Sequence, residues 1–411
     1  MEWHRNSCSW LSLAITGIRK YLLAGRQDVI WTAVVAMDIS KIGYSANFND
    51  WVRVGHKPNS VKYLEVIPPQ ENRMIHRPLI GDLQPHWAFA SYSSFLSPAG
   101  VIVTFDNAKI YPESGIVQLK EGDVISEFMD GLSREKWRPG WRPWVNHDKT
   151  KKRIKPKTIV VALSSPRNYY YWMGDMISKF YLLMKSGYWK RTDHFVVADI
   201  LYKYQMETFN AFGIVNKILT VKMLKDVQEI NAREMMLVPT NVLLGKWGCS
   251  ALRKGFSLFK LPPEKQRDWQ DLKRIYLSRE DARCRQVENE DEVVSFLRKY
   301  GFKKVVLGAL DVATQVHIFR NAEVIVGPHG SGFTNIASCS KGAKIIELFS
   351  SESAHSFFWE MSNYLGLEYG YISDDGRLPT KSPEKRGGEK DMVVNINRLE
   401  KILHMMQVNS G

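Results

Sequence analysis

Only four cysteines occur in 411 residues, and no two of them stand as C-x-x-C. Cys8, Cys249, Cys284 and Cys339 are too scattered to read as a zinc site or a disulfide framework, which suits a reducing compartment. Cys284 differs from the rest in lying between Arg283 and Arg285, whose charge would favour its thiolate. Long apolar runs are also missing. The strongest one near the start, Trp10–Ile18, is about half of what a bilayer span needs and carries Ser and Thr. It lacks the basic start and small-residue cleavage site of a secretory leader. There is no internal repeat, no Asp-x-Asp pair for a divalent ion, and no G-x-G-x-x-G dinucleotide turn. These absences argue against a spanning, disulfide-stapled or zinc-dependent chain, and weigh against a dehydrogenase.

What is present describes an ordinary globular protein, 44% hydrophobic and 24% charged, long enough for two or three cores. The formal charge of +14 fits nucleic acid, anionic membrane or phosphorylated small molecules as partners, without choosing among them. Thirteen tryptophans suit either large cores or the stacking of sugars and bases. Two of the thirteen begin and end WRPGWRPW (Trp137–Trp144), which reads as a Pro-fixed loop pinned to the core. Lys149–Lys157, KTKKRIKPK, reads as a solvated linker or as a contact for anionic lipid headgroups.

Three regions follow from the patterning. Residues 1–155 hold an apolar run at Val29–Met37, a strand at Lys62–Ile67 stopped by Pro68 and Pro69, and a small antiparallel element. That element comprises strands at Gly100–Thr104 and Ile116–Leu119, with turns at Asp106–Asn107 and Glu113–Gly115. Residues 156–265 alternate strand and helix: Thr158–Leu163, Asn168–Met184, Phe195–Ala198, Tyr202–Phe212, Lys217–Val221. Residues 266–411 do the same, from the strand Arg274–Ser278 to a terminal helix at Ile396–Met406. The alternation predicts two doubly wound α/β domains.

The most informative stretch is Ala322–Phe349, AEVIVGPHGSGFTNIASCSKGAKIIELF. A buried strand runs into a turn holding Gly327, Gly330 and Gly332, then a short helix and a second strand. A helix opening after such a turn aims unpaired amides and its positive end at whatever occupies the turn, and phosphate is the usual occupant. A tight structural reversal is the competing reading. His329 inside the turn favours the anion. Glu347, twenty residues past Gly327, stands where nucleotide-binding folds place an acid for a ribose.

GPHGSGFTN followed by GAKIIEL resembles the signature of glycosyltransferase family 61, roughly G-x-H-G-A-G-x-x-N, with Ser331 for the usual Ala. Tyr276–Val293 resembles the family's upstream SR…R…NE segment, and the resemblance covers roughly Lys157–Gln407. It implies a GT-B-like architecture, two Rossmann-like domains facing a cleft. It also implies an inverting, metal-independent enzyme that moves a sugar such as xylose or N-acetylglucosamine from a UDP-sugar to a hydroxyl of a glycan, polysaccharide or glycoconjugate, with no other cofactor. With no anchor visible, the expected setting is cytoplasmic, with peripheral membrane contact through Lys149–Lys157 and no nucleic-acid partner.

Such a transfer needs positive charge for the leaving diphosphate, a base for the acceptor and an aligned donor. Arg279, just past a strand end, is the leading diphosphate ligand, followed by Arg283 and Arg285. A surface ion-pair cluster with Glu280, Asp281 and Glu290 is the alternative. Gly327, His329, Gly330, Ser331, Gly332, Asn335 and Glu347 complete the expected donor site. Across the cleft, NYYYWMGD keeps the Asn168 and Asp175 of the family's N-Y-Y-H-x-x-x-D, but Tyr171 replaces the usual His. Asp175 is the expected base and His329 the second choice, with Asn168, Tyr171 and Trp172 on the acceptor side. A non-catalytic basic protein holding nucleic acid or anionic glycan in the same cleft is the rival function. Salt-dependent DNA binding would favour it.

Overall fold

A computed structural model describes residues 60–73, 78–80, 89, 94–97, 99–112, 116–120, 124–125, 152–162, 168–238, 245–350, 354–374 and 391–410. The runs Trp10–Ile18, Val29–Met37 and Trp137–Trp144 lie outside the described residues. In chain order the strands are β1 (Val61–Ile67), β2 (Gln70–Arg73), β3 (Leu79–Ile80), β4 (Ser94–Ser97), β5 (Gly100–Tyr111), β6 (Ile116–Gln118), β7 (Val124–Ile125), β8 (Lys152–Ile154) and β9 (Thr158–Ala162). They continue with β10 (His194–Val197), β11 (Ile218–Thr220), β12 (Val227–Leu237), β13 (Arg274–Ser278), β14 (Lys303–Val306), β15 (Val324–Pro328), β16 (Lys344–Phe349) and β17 (Glu368–Ser373).

Two large sheets organise these strands. The first runs β11-β10-β9-β12-β5-β6-β7, with β1 added to β5 and β8 to β12. The second runs β14-β13-β15-β16-β17-β3 and is parallel throughout. Its central strands, and β9 in the first sheet, are apolar runs buried along nearly their whole length, as strands covered on both faces are.

The expected boundary at residue 155 is not a structural one. β5 pairs antiparallel with β12 from Ile110–Ile230 to Val103–Leu237, so the early strands complete the same sheet as β9 to β11. β3 crosses to the edge of the second sheet, beside β17. Asp106–Asn107 is not a turn either. β5 runs straight through it, with Asn107 absorbing the irregularity at φ 54°. Asn tolerates that left-handed conformation better than most residues. The basic run 149–157 is also more than a linker. Lys152–Ile154 is strand β8, and Arg153 stands 3.8 Å from Glu229 of β12.

The helix Tyr169–Lys185 binds the halves together. Asn168 caps it by accepting from the Tyr170 amide at 2.9 Å, and twelve of its residues are buried. One face meets the helix Lys246–Phe256, where Gly255 leaves room for Ile177; a Cβ there would lie 2.3 Å from that side chain. A single apolar cluster continues from Met173 and Phe180 through Phe256 to Ile325, Phe333 and Phe358. Arg253 ties the halves further, donating to the carbonyls of Ala337, Cys339 and Leu365 at 3.1–3.2 Å. Among the described residues no helix is long and apolar enough to cross a membrane.

Candidate active site

A cavity of about 440 Å³ opens at the carboxyl ends of β13 and β15, where parallel α/β sheets bind ligands. Arg279 follows β13 directly, and Gly330, Ser331 and Gly332 follow β15. Tyr169, Lys203, Tyr204 and Glu207 close it from the other half of the chain. The floor is the loop Leu307–Leu310 after β14, tied in place by the Gly308 amide, which donates to Asp281 Oδ2 at 3.1 Å. Sequence patterning missed this loop; its place after a parallel strand was the available signal.

Space, not backbone conformation, explains the glycines. None of Gly327, Gly330 and Gly332 has positive φ; Gly330 is extended at φ −177°. A Cβ on Gly330 would come 2.1 Å from Arg279 Nη1, so the guanidinium lies directly over that α-carbon. Gly327 is packed on Leu277 instead and does not line the cavity. After Gly330 the chain enters a 3-10 helix at Ser331–Ser338. Its opening amides, Ser331 and Gly332, have no intrahelical acceptor and sit at the cavity wall.

Arg279 is held by donation from Nε and Nη2 to the Cys284 carbonyl at 3.3 and 3.0 Å. Nη1 makes no hydrogen bond among the described residues. Burial, and then the charge of Arg285, hold its guanidinium below the usual range. The surface ion-pair reading fails here. Lys304, not an arginine, pairs with Glu280 and Glu290 at 2.7 and 2.6 Å, and among the described residues none of Arg279, Arg283 and Arg285 forms an ion pair with a carboxylate. Arg285 also buries its Nε without a hydrogen-bond partner. A half-buried guanidinium at the cavity wall beside the opening amides of a 3-10 helix is a setting that favours an anion, with Asp281 the nearby carboxylate acting on Arg279 and Arg285 outside the cavity lining. Arg283 is exposed and lies outside the cavity lining.

Several expected site residues have other duties. Glu347 is fully buried, and its two oxygens are taken by His329 Nδ1 and by the Tyr369 hydroxyl, which donates at 2.5 Å. It holds His329 and is closed to a ribose. Asn335 is also fully buried. It accepts from the Tyr169 hydroxyl at 2.8 Å and donates to Gln315 Oε1 at 2.9 Å. Gln315 donates in turn to the carbonyls of Leu307 and Leu310, both at 3.0 Å, so Asn335 supports the cavity floor from behind. Trp172 is a core residue whose indole N–H donates to Thr208 at 3.1 Å. Asp175 is buried in mid-helix against Lys179 at 2.8 Å and does not reach the cavity, which removes it as the base.

His329 stands one residue from the cavity wall. Its backbone amide is fixed to the Leu348 carbonyl at 2.9 Å, and its ring packs on Phe349 with centroids 5.3 Å apart. With the proton on Nδ1 directed at the Glu347 carboxylate, Nε2 carries a free lone pair. Nε2 has no hydrogen-bond partner among the described residues. His329 lies between Pro328 and Gly330 of the cavity wall without being part of the lining itself, and a carboxylate-backed imidazole has the parts to take up a proton from a hydroxyl.

Residues 169–346 match the family model of glycosyltransferase 61. The EGF domain-specific O-linked N-acetylglucosamine transferase of Drosophila melanogaster is 31% identical over 153 residues, 32% of this chain and 28% of that protein. The β-1,2-xylosyltransferase of Arabidopsis thaliana is 32% identical over 93 residues, 22% of this chain and 17% of that protein. The matched stretches are thus less than a third of either relative's length. The solved glycosyl transferase family 9 structure from Veillonella parvula DSM 2008 aligns with TM-score 0.33 and 10% identity over 62% of this chain and 99% of that one, a likeness too slight to bear on the fold. The matched segment 169–346 holds Arg279, His329 and the turn at Gly330, and it is over this segment that the chain is similar to glycosyltransferase family 61.

Proposed function

We propose that this chain transfers a sugar from a nucleotide diphosphate donor to a hydroxyl acceptor, with inversion and without a divalent ion. One observation carries the reading: the Arg279 guanidinium, held through Nε and Nη2 by the Cys284 carbonyl, lies over the Gly330 α-carbon at a strand end, in the same cavity wall as the opening amides of Ser331 and Gly332. Arg279, helped by Arg285 and the amides of Ser331 and Gly332, takes the charge that develops on the leaving diphosphate. His329 Nε2 removes the acceptor proton as the acceptor oxygen bonds to the anomeric carbon and the bond to the diphosphate breaks. Attack from the far side of that carbon gives inversion.

The cavity between the two halves suits a GT-B arrangement, with the donor on the Arg279 side. The names of the relatives make UDP-N-acetylglucosamine and UDP-xylose the first donors to try, and a hydroxyl of a glycan or glycoconjugate the acceptor class. The test is a panel of nucleotide sugars with detection of released nucleotide, with and without EDTA. Release from one UDP-sugar that EDTA leaves intact is the expected result. No release from any donor, or release abolished by EDTA, contradicts the proposal.

A further inference from the structure

Two loops at the cavity rim are built alike. In one, the Arg279 guanidinium lies over Gly330. In the other, the Asp281 carboxylate lies over Gly308: a Cβ there would fall 2.2 Å from Asp281 Oδ2, and the Gly308 amide donates to that oxygen at 3.1 Å. Asp281 Oδ1 has no hydrogen-bond partner among the described residues, and the carboxylate forms no ion pair there. Glu207 is the other acid of the lining, and both of its oxygens are engaged. Oε2 accepts from the Val312 amide at 2.8 Å, and Oε1 stands 3.3 Å from Lys203 Nζ. Asp281 is therefore the lining carboxylate with an oxygen left for a ligand. Tyr171, expected on the acceptor side, is 40% exposed and outside this lining, so the cavity is read for the donor alone.

The two loops flank one strand. β14 and β15 lie on either side of β13, so their carboxyl ends stand about 10 Å apart, two strand spacings. The cavity thus has a cation toward β15 and an open carboxylate toward β14. A nucleoside diphosphate presents the matching order, two phosphates and then a ribose with a vicinal diol. A carboxylate repels the phosphates and accepts from hydroxyls, so it can set the direction of the ligand as well as hold it.

We infer that Asp281 reads the ribose of the donor. It accepts a hydrogen bond from the 2′-hydroxyl, with the nucleoside toward β14 and the diphosphate toward Gly330. Asp281 has this use only if the cavity holds a nucleotide donor, as proposed above; what is added is the part of the nucleotide that the cavity discriminates. It takes the place that spacing reserved for Glu347, whose oxygens belong to His329 and Tyr369.

Calorimetric titration with UDP, 2′-deoxy-UDP and inorganic pyrophosphate tests this on the full chain. The variants are Asp281→Ala and Asp281→Asn, the second of which keeps an oxygen for the Gly308 amide. The wild type is expected to prefer UDP over 2′-deoxy-UDP by at least about tenfold, the worth of one hydrogen bond to a charged group. In Asp281→Ala the preference falls to within about twofold through loss of UDP affinity, while pyrophosphate binds as well as before or better. Should Asp281→Ala not fold, the comparison passes to Asp281→Asn, where the preference is expected to shrink by at least about threefold. A wild type that binds UDP and 2′-deoxy-UDP equally, or a preference that the variants keep, overturns the role of Asp281 and leaves the diphosphate site standing. Equal weakening of all three ligands marks a carboxylate that only holds its loop, and overturns that role as well. A wild type that binds neither UDP nor pyrophosphate overturns the donor reading with it.

Discussion

Arg279 and Gly330 occupy adjoining space, so an alanine at 330 has to displace the guanidinium that lies over it. Gly330→Ala is therefore expected to weaken UDP binding by about ten- to a hundredfold, the value of one charge-assisted contact, as read by calorimetry. His329→Gln removes the free Nε2. It is expected to lower kcat by roughly 10²–10⁴ while UDP affinity stays as in the wild type, which separates a base from a donor ligand. At this scale the sequence was legible where a residue's type dictates its use. Arg279 past a strand end, His329 between glycines and the Ser331–Gly332 amides all lie where the pattern put them. It was illegible where direction matters. Every residue of β16 after Lys344 is buried, so no alternation tells which way Glu347 points, and about two helical turns separate the cap Asn168 from the buried Asp175.

Among the elements, the helix Phe357–Leu365 carries an acid that the proposed chemistry does not use. Burial raises the Glu360 carboxyl from 4.5 to about 7, against a smaller lowering by the Ser356 hydroxyl, which donates to it at 2.6 Å. The unfolded chain gives up this proton near 4.5 and the folded chain holds it to about 7. Glu360 thus adds stability that is full below 4.5, declines as pH rises to about 7, and is absent above, a change on the order of 3 kcal/mol. Urea unfolding between pH 5 and 8 is expected to show that decline, and Glu360→Gln to flatten it; equal slopes in both proteins would refute the assignment. Of the elements themselves, β9, β13, β15, β17 and the helix Tyr169–Lys185 were readable because their apolar periodicity is strong. β12 and the helix Lys246–Phe256 were not. β12 mixes Glu229, Arg233 and Glu234 into a strand that breaks its buried run in the middle, at the exposed Arg233, and Gly248 and Gly255 interrupt the helix, Gly255 to make room for Ile177.

At the level of the whole molecule, the two sheets share one apolar cluster and the first sheet draws on residues from both sides of position 155. That sharing was invisible in the sequence, because the pairing of β5 with β12 joins segments more than a hundred residues apart. Two outcomes follow. Urea unfolding followed by far-ultraviolet dichroism and by tryptophan fluorescence should coincide in a single transition. A chain lacking residues 1–155 should fail to fold, since β12 would lose its partner along seven paired positions. A folded fragment 156–411 would contradict this architecture. The central claim is that the cavity between the halves holds a sugar nucleotide's diphosphate on Arg279. Calorimetric titration of UDP into wild-type protein and Arg279→Ala tests it most directly. The account predicts binding to the wild type, without added divalent ion, that the substitution weakens by at least about tenfold. Equal UDP affinity in the two proteins would contradict it.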